Sequence, residues 1–341
     1  MLDERWSEDV EEIGDALRKM LSAECTAEHV RRAEAGEGGR DPVLEAQLEA
    51  FGLDGLVAPP EMFARIAYEL GRAIAPVAYV ETIPILALLG RSRVGHGGAG
   101  LVPAALTETA VRRLDGLFVE PVSGDRRRTA AGDWLITQRQ GQSDEGERLG
   151  DLALADRVER YAGLVEAARL VGAGQALLAY GVSYAAEREQ FGRIIGTYQG
   201  VAHRLSRAAG ELDAAELLVR KAAYVAAPEQ GGDGAPSRAF AIMAWTKAVE
   251  AARFVAANVH QVFGGNGFAM EYDVQLYSRR LRSWAMRGPR VSLRLADLGR
   301  MVLEPATRDG LSMLWHYEQG MPLPRWAREA EANYRASNRL K

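Results

Sequence analysis

Arg188-Glu189-Gln190-Phe191-Gly192-Arg193-Ile194-Ile195-Gly196 and, about seventy residues later, Gln261-Val262-Phe263-Gly264-Gly265-Asn266-Gly267-Phe268 are the stretches on which the fold reading turns. Each lies beside a long helical pattern. Upstream of the first, Leu154, Val158, Tyr161, Val165, Leu170 and Leu177 recur over residues 151–187 with the spacing of a helix face. Downstream of it, Val201, Leu205, Leu212 and Val219 extend the pattern over 198–227. A third helix runs from Ser237 through Ile242, Trp245, Val249, Ala252, Ala256 and Val259 to Gly264-Gly265, glycine being common just past a helix end. Taken singly, both stretches have a plain structural reading: a charged helix end capped by Phe191, and a helix stop.

Working outward, residues 228–236 carry Pro228, Gly231, Gly232, Gly234 and Pro236 and read as a loop. Shorter helices fit 273–285 and 289–303, so long helices with short joins predict an antiparallel bundle over 151–303. Residues 1–90 also read as helices. Ile13, Leu17, Met20 and Leu21 recur at helical spacing, and Asp41-Pro42 has the form of an N-cap leading into Leu44, Leu48 and Phe51. Gly52 and Gly55 break that helix; Pro59-Pro60-Glu61 starts another carrying Phe63, Ile66, Leu70 and Ile74, and 77–90 stays apolar around Pro84. From 91 to 150 the character changes. Gly95, Gly97, Gly98 and Gly100 bring in a loop, Leu117-Phe118-Val119-Glu120 and Trp134-Leu135-Ile136-Thr137 look strand-like, and 141–147 is a polar connection. The tail, 304–341, is polar apart from Leu311, Met313, Leu314 and Trp315, and is expected to wrap a neighbouring subunit.

Composition narrows the function classes. With 48% hydrophobic and 26% charged residues in 341, the chain has the makeup of an ordinary globular protein. A net charge of −4 gives no electrostatic case for nucleic acid, and Arg126-Arg127-Arg128 reads as a solvated turn. The single cysteine, Cys25, excludes an intrachain disulfide and a cysteine-rich metal site. No histidine pair has metal-site spacing; His203 and His260 sit in helical patterns as core or interface residues. The charged N-terminus is unlike a secretory signal, and no stretch approaches the roughly twenty apolar residues of a membrane span. The expectation is a cytoplasmic protein with no membrane association. No nucleophile elbow, Walker loop or Rossmann fingerprint is present.

Taken together, the two stretches resemble the flavin-contacting signatures of the acyl-CoA dehydrogenase family. The order Arg-Xaa-Gln-Phe-Gly-Arg-Xaa-Ile-Gly from Arg188, followed by Gln199 and His203-Arg204-Leu205, is far more specific than a pentapeptide. So is the continuation Glu271-Tyr272-Asp273-Val274-Gln275-Leu276-Tyr277-Ser278-Arg279-Arg280 after the glycines. The resemblance covers about 150–300 well and 1–90 more loosely, through Glu69-Leu70-Gly71-Arg72-Ala73-Ile74-Ala75-Pro76-Val77. It implies a mainly α fold with an N-terminal helical domain (1–90), a reduced β middle segment (91–150), a C-terminal antiparallel four-helix bundle (151–303) and a tail (304–341). It also implies FAD as cofactor, with Arg188, Gln190, Phe191, Gln261, Gly264 and Gly265 contacting it across a subunit interface. A guanidinium fork suits a pyrophosphate, and glycines let a backbone approach one closely.

The departures from the family are selective. Its reaction removes the α-proton of an acyl-CoA thioester with a glutamate while the β-hydrogen leaves as hydride to flavin. Some members carry that glutamate in a Tyr-Glu-Gly-Thr segment, where this chain reads Trp284-Ala285-Met286-Arg287-Gly288-Pro289. Others carry it at the position of Ala162; Glu166, one turn on, is a candidate base or an ion-paired helix carboxylate, and Arg169 stands where bacterial relatives often place a glutamate. The β-barrel phrases that hold a chain's own isoalloxazine are missing, as is the substrate loop near Pro59. Catalytic residues therefore stay unassigned. The pattern resembles the short subunits of heterotetrameric α2β2 bacterial acyl-CoA dehydrogenases, several acting on steroid side-chain CoA thioesters. That implies a full-length partner subunit, or self-association, with acyl-CoA as substrate and an electron-transfer flavoprotein or similar acceptor. The rival readings are a flavin monooxygenase or oxidase on the same fold and a non-enzymatic scaffold.

Overall fold

The computed structural model describes residues 6–36, 39–91, 95–96, 101–102, 108–121, 125–128, 134–137, 146–228, 232, 234–287, 290–308 and 310–311. Five helices come first: α1 (Glu8–Glu24), α2 (Ala27–Ala35), α3 (Pro42–Ala50), α4 (Pro60–Arg72) and α5 (Tyr79–Leu89). Their starts follow local chemistry. Thr26 and His29 form a capping box on α2, and the Asp41 carboxylate accepts from Val43 N and Leu44 N at 3.0 and 3.1 Å, with Pro42 in the first turn of α3. The α1 stripe differs from the sequence expectation. Val10, Gly14, Leu17 and Leu21 are buried while Ile13 is exposed, because Arg65 of α4 lies over Gly14 and reaches Glu11 at 2.9 Å.

Among the described residues seven strands follow as two small sheets. One has the order β1 (Gly95–His96), β3 (Glu108–Arg113), β4 (Gly116–Pro121), β7 (Glu147–Gly150), and the other β2 (Leu101–Val102), β6 (Trp134–Thr137), β5 (Asp125–Arg128). Both strand-like segments read from sequence fall in strands; of the polar connection 141–147, residues 141–145 lie outside the described residues and Glu147 begins β7. The first sheet seats Ala110, Leu117 and Val119 against Ile85 of α5 and against Ala155 and Val158 of the next helix.

That helix, α6 (Leu152–Glu187), is the axis of the molecule. The Asp151 carboxylate caps it by accepting from Leu154 N at 2.9 Å. It packs on α4, α5, α7 (Gln199–Val225), α8 (Ala235–Phe263) and α9 (Val274–Trp284); α10 (Val291–Leu303) lies on α8, and α11 (Pro305–Arg308) follows. Helix α8 begins inside the expected loop because Pro236 occupies its first turn, where a missing N–H costs nothing. α6 is long and apolar enough to cross a membrane, contrary to the sequence expectation, but its most apolar stretch is 72% buried, and packing on several sides accounts for that composition. Leu311, assigned to the tail, packs in its own chain against Ala239, Ile242 and Met301; 312–341 lie outside the described residues.

One core runs without a break from α1–α5 into α6–α9. It is closed by backbone contact. A Cβ on Gly71 would stand 2.1 Å from the Arg169 carbonyl oxygen, and one on Gly172 would stand 2.0 Å from that of Tyr68. Ion pairs fasten the rim: Arg18 and Arg65 to the buried Glu69 at 2.7 and 3.0 Å, Arg31 to Asp273 at 2.7 Å, and Arg279 and Arg280 to Glu34. Helices α8 and α9 are joined by His260, whose Nε2 lies 2.6 Å from Ser278 Oγ.

Two measurements check this packing. Gly172→Ala gains helix propensity, but no rotamer relieves a contact with a backbone oxygen, so a net loss of about 1–3 kcal/mol is expected. An unchanged Tm would contradict so close an approach of α4 and α6. Burial, and then Arg282, push His260 below its ordinary value. The unfolded chain therefore binds the proton more readily, and this contribution to stability is present above about pH 6.5 and lost below it. The Tm should fall between pH 7 and pH 5 more steeply in the wild type than in His260→Gln; parallel curves would refute the assignment.

Candidate functional site

Helix α6 leaves its axis at Arg188, where φ −72° and ψ 124° turn the chain into extended backbone while Arg188 N still donates to Tyr184 O at 2.9 Å. A hairpin follows, pairing β8 (Glu189–Gln190) with β9 (Arg193–Ile194). Its two corner residues, Phe191 (φ 55°) and Gly192 (φ 81°), are both left-handed, as a two-residue hairpin turn demands. Phenylalanine is a poor residue for that region, so the corner stores strain of about 1–3 kcal/mol. Tyr198 holds it in place. Its hydroxyl donates to Phe191 O at 3.2 Å, its ring meets the Phe191 ring edge-on at 6.5 Å, and the Arg193 guanidinium covers its face at 3.9 Å. The outcome is a Phe191 side chain 92% exposed.

The second segment sits at the end of α8. Gln261 is exposed on its last turn, and Gly264, at φ 58°, turns the chain into a 3-10 helix over Gly264–Phe268. A Cβ at Gly264 or Gly265 would meet nothing within 4 Å, so the backbone here is open to approach from outside. Tyr184, one turn before Arg188, stacks on Phe263 with centroids 3.9 Å apart and 15° between planes. Asn266 Nδ2 donates to the Tyr184 hydroxyl at 2.9 Å and to that of Tyr272 at 3.4 Å. This box brings the two segments to one end of the bundle.

All six residues singled out from sequence, Arg188, Gln190, Phe191, Gln261, Gly264 and Gly265, are exposed. Among the described residues no carboxylate pairs with the Arg188 guanidinium. A charged fork, open glycine backbone and an exposed aromatic ring on one surface match what a dinucleotide phosphate and base require. Nothing about the set suits a buried core role. Sequence reasoning missed Tyr184, for which the Tyr180–Tyr184 spacing of four was the available signal, and it quoted Phe263, Asn266 and Tyr272 within the motifs without giving them this role.

The two places where a catalytic carboxylate was sought look different. Ala162 is buried, and the turn after α9 presents Trp284 and Arg287. Arg287 and Arg169 converge on Glu81 of α5, the Arg169 contact being 2.6 Å. Arg169 also pairs with Glu166 and lies on the Trp284 ring at 4.3 Å. Both arginines use Glu81 Oε1, leaving Oε2 buried without a hydrogen-bond partner. Burial pushes Arg287 down to about 9, which still leaves it protonated at neutral pH beside Glu81. Glu166 is thus the ion-paired helix carboxylate of the two alternatives, committed to Arg169. Two acids and two bases balance, and removing any one strands the others at a cost of about 3–5 kcal/mol.

A cavity of 540 Å³ opens at the other end of α6, lined by Pro59, Pro60, Leu88, Arg157, Arg160 and Tyr161 among others. Burial pushes the Tyr161 hydroxyl up to about 12, so it is neutral. From Arg157 to Arg188 the helix rises roughly 45 Å, so the cavity and the exposed segments are separate features.

Residues 161–288, which include all six exposed positions, match the family model for the acyl-CoA dehydrogenase C-terminal domain. Acyl-CoA dehydrogenase IpdE2 of Mycolicibacterium smegmatis is 29% identical over 318 residues, spanning 84% of this chain and 97% of that protein. Acyl-CoA dehydrogenase FadE34 of Mycobacterium tuberculosis is 30% identical over 234 residues, 67% of this chain but 30% of FadE34. Among solved structures, a chain of the Tcur3481-Tcur3483 steroid ACAD G363A variant has a TM-score of 0.75 at 21% identity, over 89% of this chain and 99% of that one. A chain of the ChsE4-ChsE5 complex from Mycobacterium tuberculosis has a TM-score of 0.74 at 20% identity, with the same coverage. The family model, the near full-length alignment to IpdE2 and the shared fold agree: residues 161–288 carry an acyl-CoA dehydrogenase C-terminal domain, and the chain is similar to acyl-CoA dehydrogenases over most of its length.

Proposed function

We propose that this chain is the incomplete half of an FAD-dependent acyl-CoA dehydrogenase: it completes the flavin site of a full-length partner, in an α2β2 assembly, and leaves α,β-dehydrogenation to that partner's glutamate. The observation that carries this reading is the division along α6. Beside its C-terminal end lie Arg188, without a carboxylate partner among the described residues, and the open glycine backbone at the end of α8, while both positions for a base are taken by Ala162 and by an arginine locked onto Glu81.

In the assembly, Arg188 would pair with the FAD pyrophosphate, Gly264 and Gly265 would present backbone N–H groups, and Gln190, Phe191 and Gln261 would border the adenine half. When bound, FAD supplies the acceptor for the hydride leaving the substrate β-carbon. This chain's own share is to bind, orient and shield. The planar guanidinium fork matches phosphate oxygens two at a time, and the strained Phe191 corner would fix an apolar ring where solvent would otherwise reach the cofactor. A bulky acyl-CoA of the steroid side-chain class is the substrate we favour, supported by the steroid ACAD among the fold neighbours, with an electron-transfer flavoprotein or similar acceptor downstream.

Flavin content and mass of the chain alone, and co-expressed with a full-length relative encoded beside it, test the reading. The expected result is colourless protein alone and a yellow heterotetramer together; a yellow homo-oligomer would overturn it. Within the complex, Arg188→Ala removes charge-assisted hydrogen bonds of about 1.5–3 kcal/mol and should weaken FAD binding about 10- to 100-fold while the chain stays folded. Full flavin retention would remove Arg188 from the site.

A further inference from the structure

We infer that Tyr184 and Asn266 are positioning residues that lock the two exposed segments into one surface, so that Arg188 and the Gly264-Gly265 backbone meet the same cofactor in fixed register. This rests on the proposed flavin-completing function. It gives a role to two residues, Tyr184 outside the motifs and Asn266 within the second, neither of which the sequence had marked as a contact.

The argument is geometric. Without a link, the hairpin and the glycine turn would be the ends of two separate helices, each free to fray. Tyr184 is tied to the first segment directly, since its carbonyl accepts from Arg188 N at the point where α6 ends. It is tied to the second segment on both sides of the glycine pair. Its ring stacks on Phe263, which immediately precedes Gly264, and its hydroxyl accepts from Asn266, which immediately follows Gly265. One side chain thus grips the glycines from before and after.

Tyr272 closes the box from the chain that leads into α9. Its ring meets Phe263 at 73° and Tyr184 at 86°, and its hydroxyl is the second acceptor for Asn266. Tyr180 completes the arrangement, its ring lying 5.2 Å from Phe263 and its hydroxyl accepting from Asp273 N at 3.4 Å. Phe263 is 3% exposed, so the box is anchored in the core although the segments it carries are on the surface. Holding both segments before the cofactor arrives removes an ordering cost that binding would otherwise bear.

The test is a double-mutant cycle on FAD affinity in the assembled complex, using Tyr184→Phe and Asn266→Ala. Tyr184→Phe keeps the stacked ring and removes only the hydroxyl, which makes it the variant least able to harm folding. Each single change should raise the FAD Kd about three- to tenfold. The double should raise it no further than the larger single, because both remove the same link. Complex mass and Tm should stay at wild-type values. Amide hydrogen exchange at Gly264–Gly267, read in the chain alone, should quicken in both variants whether or not the complex forms.

Unchanged affinity in both singles, additive losses in the double, or unaltered exchange would each overturn the inference. Arg188→Ala in the same complex separates the two levels. If it weakens FAD binding while Tyr184→Phe and Asn266→Ala do not, only the positioning role fails. If it too leaves binding untouched, the flavin-completing function fails with it.

Discussion

Helices α4 and α6 touch backbone to backbone, and the rest of the molecule is arranged around that contact. Gly71 and Gly172 leave no side chain between them, so carbonyl oxygens occupy the space where a Cβ would stand. At this separation the N-terminal helices have no core of their own and share the one that continues into the bundle. Close packing also makes α6 a rigid rod, because a dense interior has few alternative arrangements. What is attached to one end is therefore fixed relative to what is attached to the other.

The two regions of that rod have opposite character. In its middle, Arg169 emerges beside the glycine contact and is consumed by Glu81, Glu166 and the Trp284 ring, with Arg287 completing the cluster. Buried charges of this kind tolerate little rearrangement, since each satisfies another. At its C-terminal end, the chain breaks into a strained hairpin and meets the glycine turn of α8, leaving charge and aromatic surface outside. A self-sufficient catalyst needs an open interior and a free carboxylate. This chain has put ionic groups into closing the interior and, on the surface, an arginine that no carboxylate among the described residues pairs, which agrees with the proposed role of completing a neighbour's site.

Much of this was written in short-range chemistry. Asp41-Pro42 announced α3, the apolar period announced α6, α7 and α8, and Gly264 marked the end of α8, because caps, periodicity and left-handed turns depend on residues a few positions apart. Motif order alone likewise singles out Arg188 and the glycine pair. The misreadings arise where local chemistry leaves two outcomes open. Ile13 fits a helical period as well as Val10 does, and which face is buried depends on Arg65, fifty-two positions away. Proline in the first turn of α8 looks the same in sequence as proline in a loop.

By itself, then, the sequence determined the helices, the reduced strand segment, the family resemblance and the absence of an acid in either place where the family carries its base. Only the tertiary structure decided that Glu166 is committed to Arg169, that Leu311 packs on its own chain, and that Tyr184 and Asn266 join segments eighty-two residues apart. The physical reason is the same in each case. Each depends on distances of a few ångströms to residues far apart in the chain: Glu166 is held by an arginine that Glu81, eighty-eight positions away, also holds. Those distances are set by how closely the helices pack, as the two glycines on the facing backbones of α4 and α6 show.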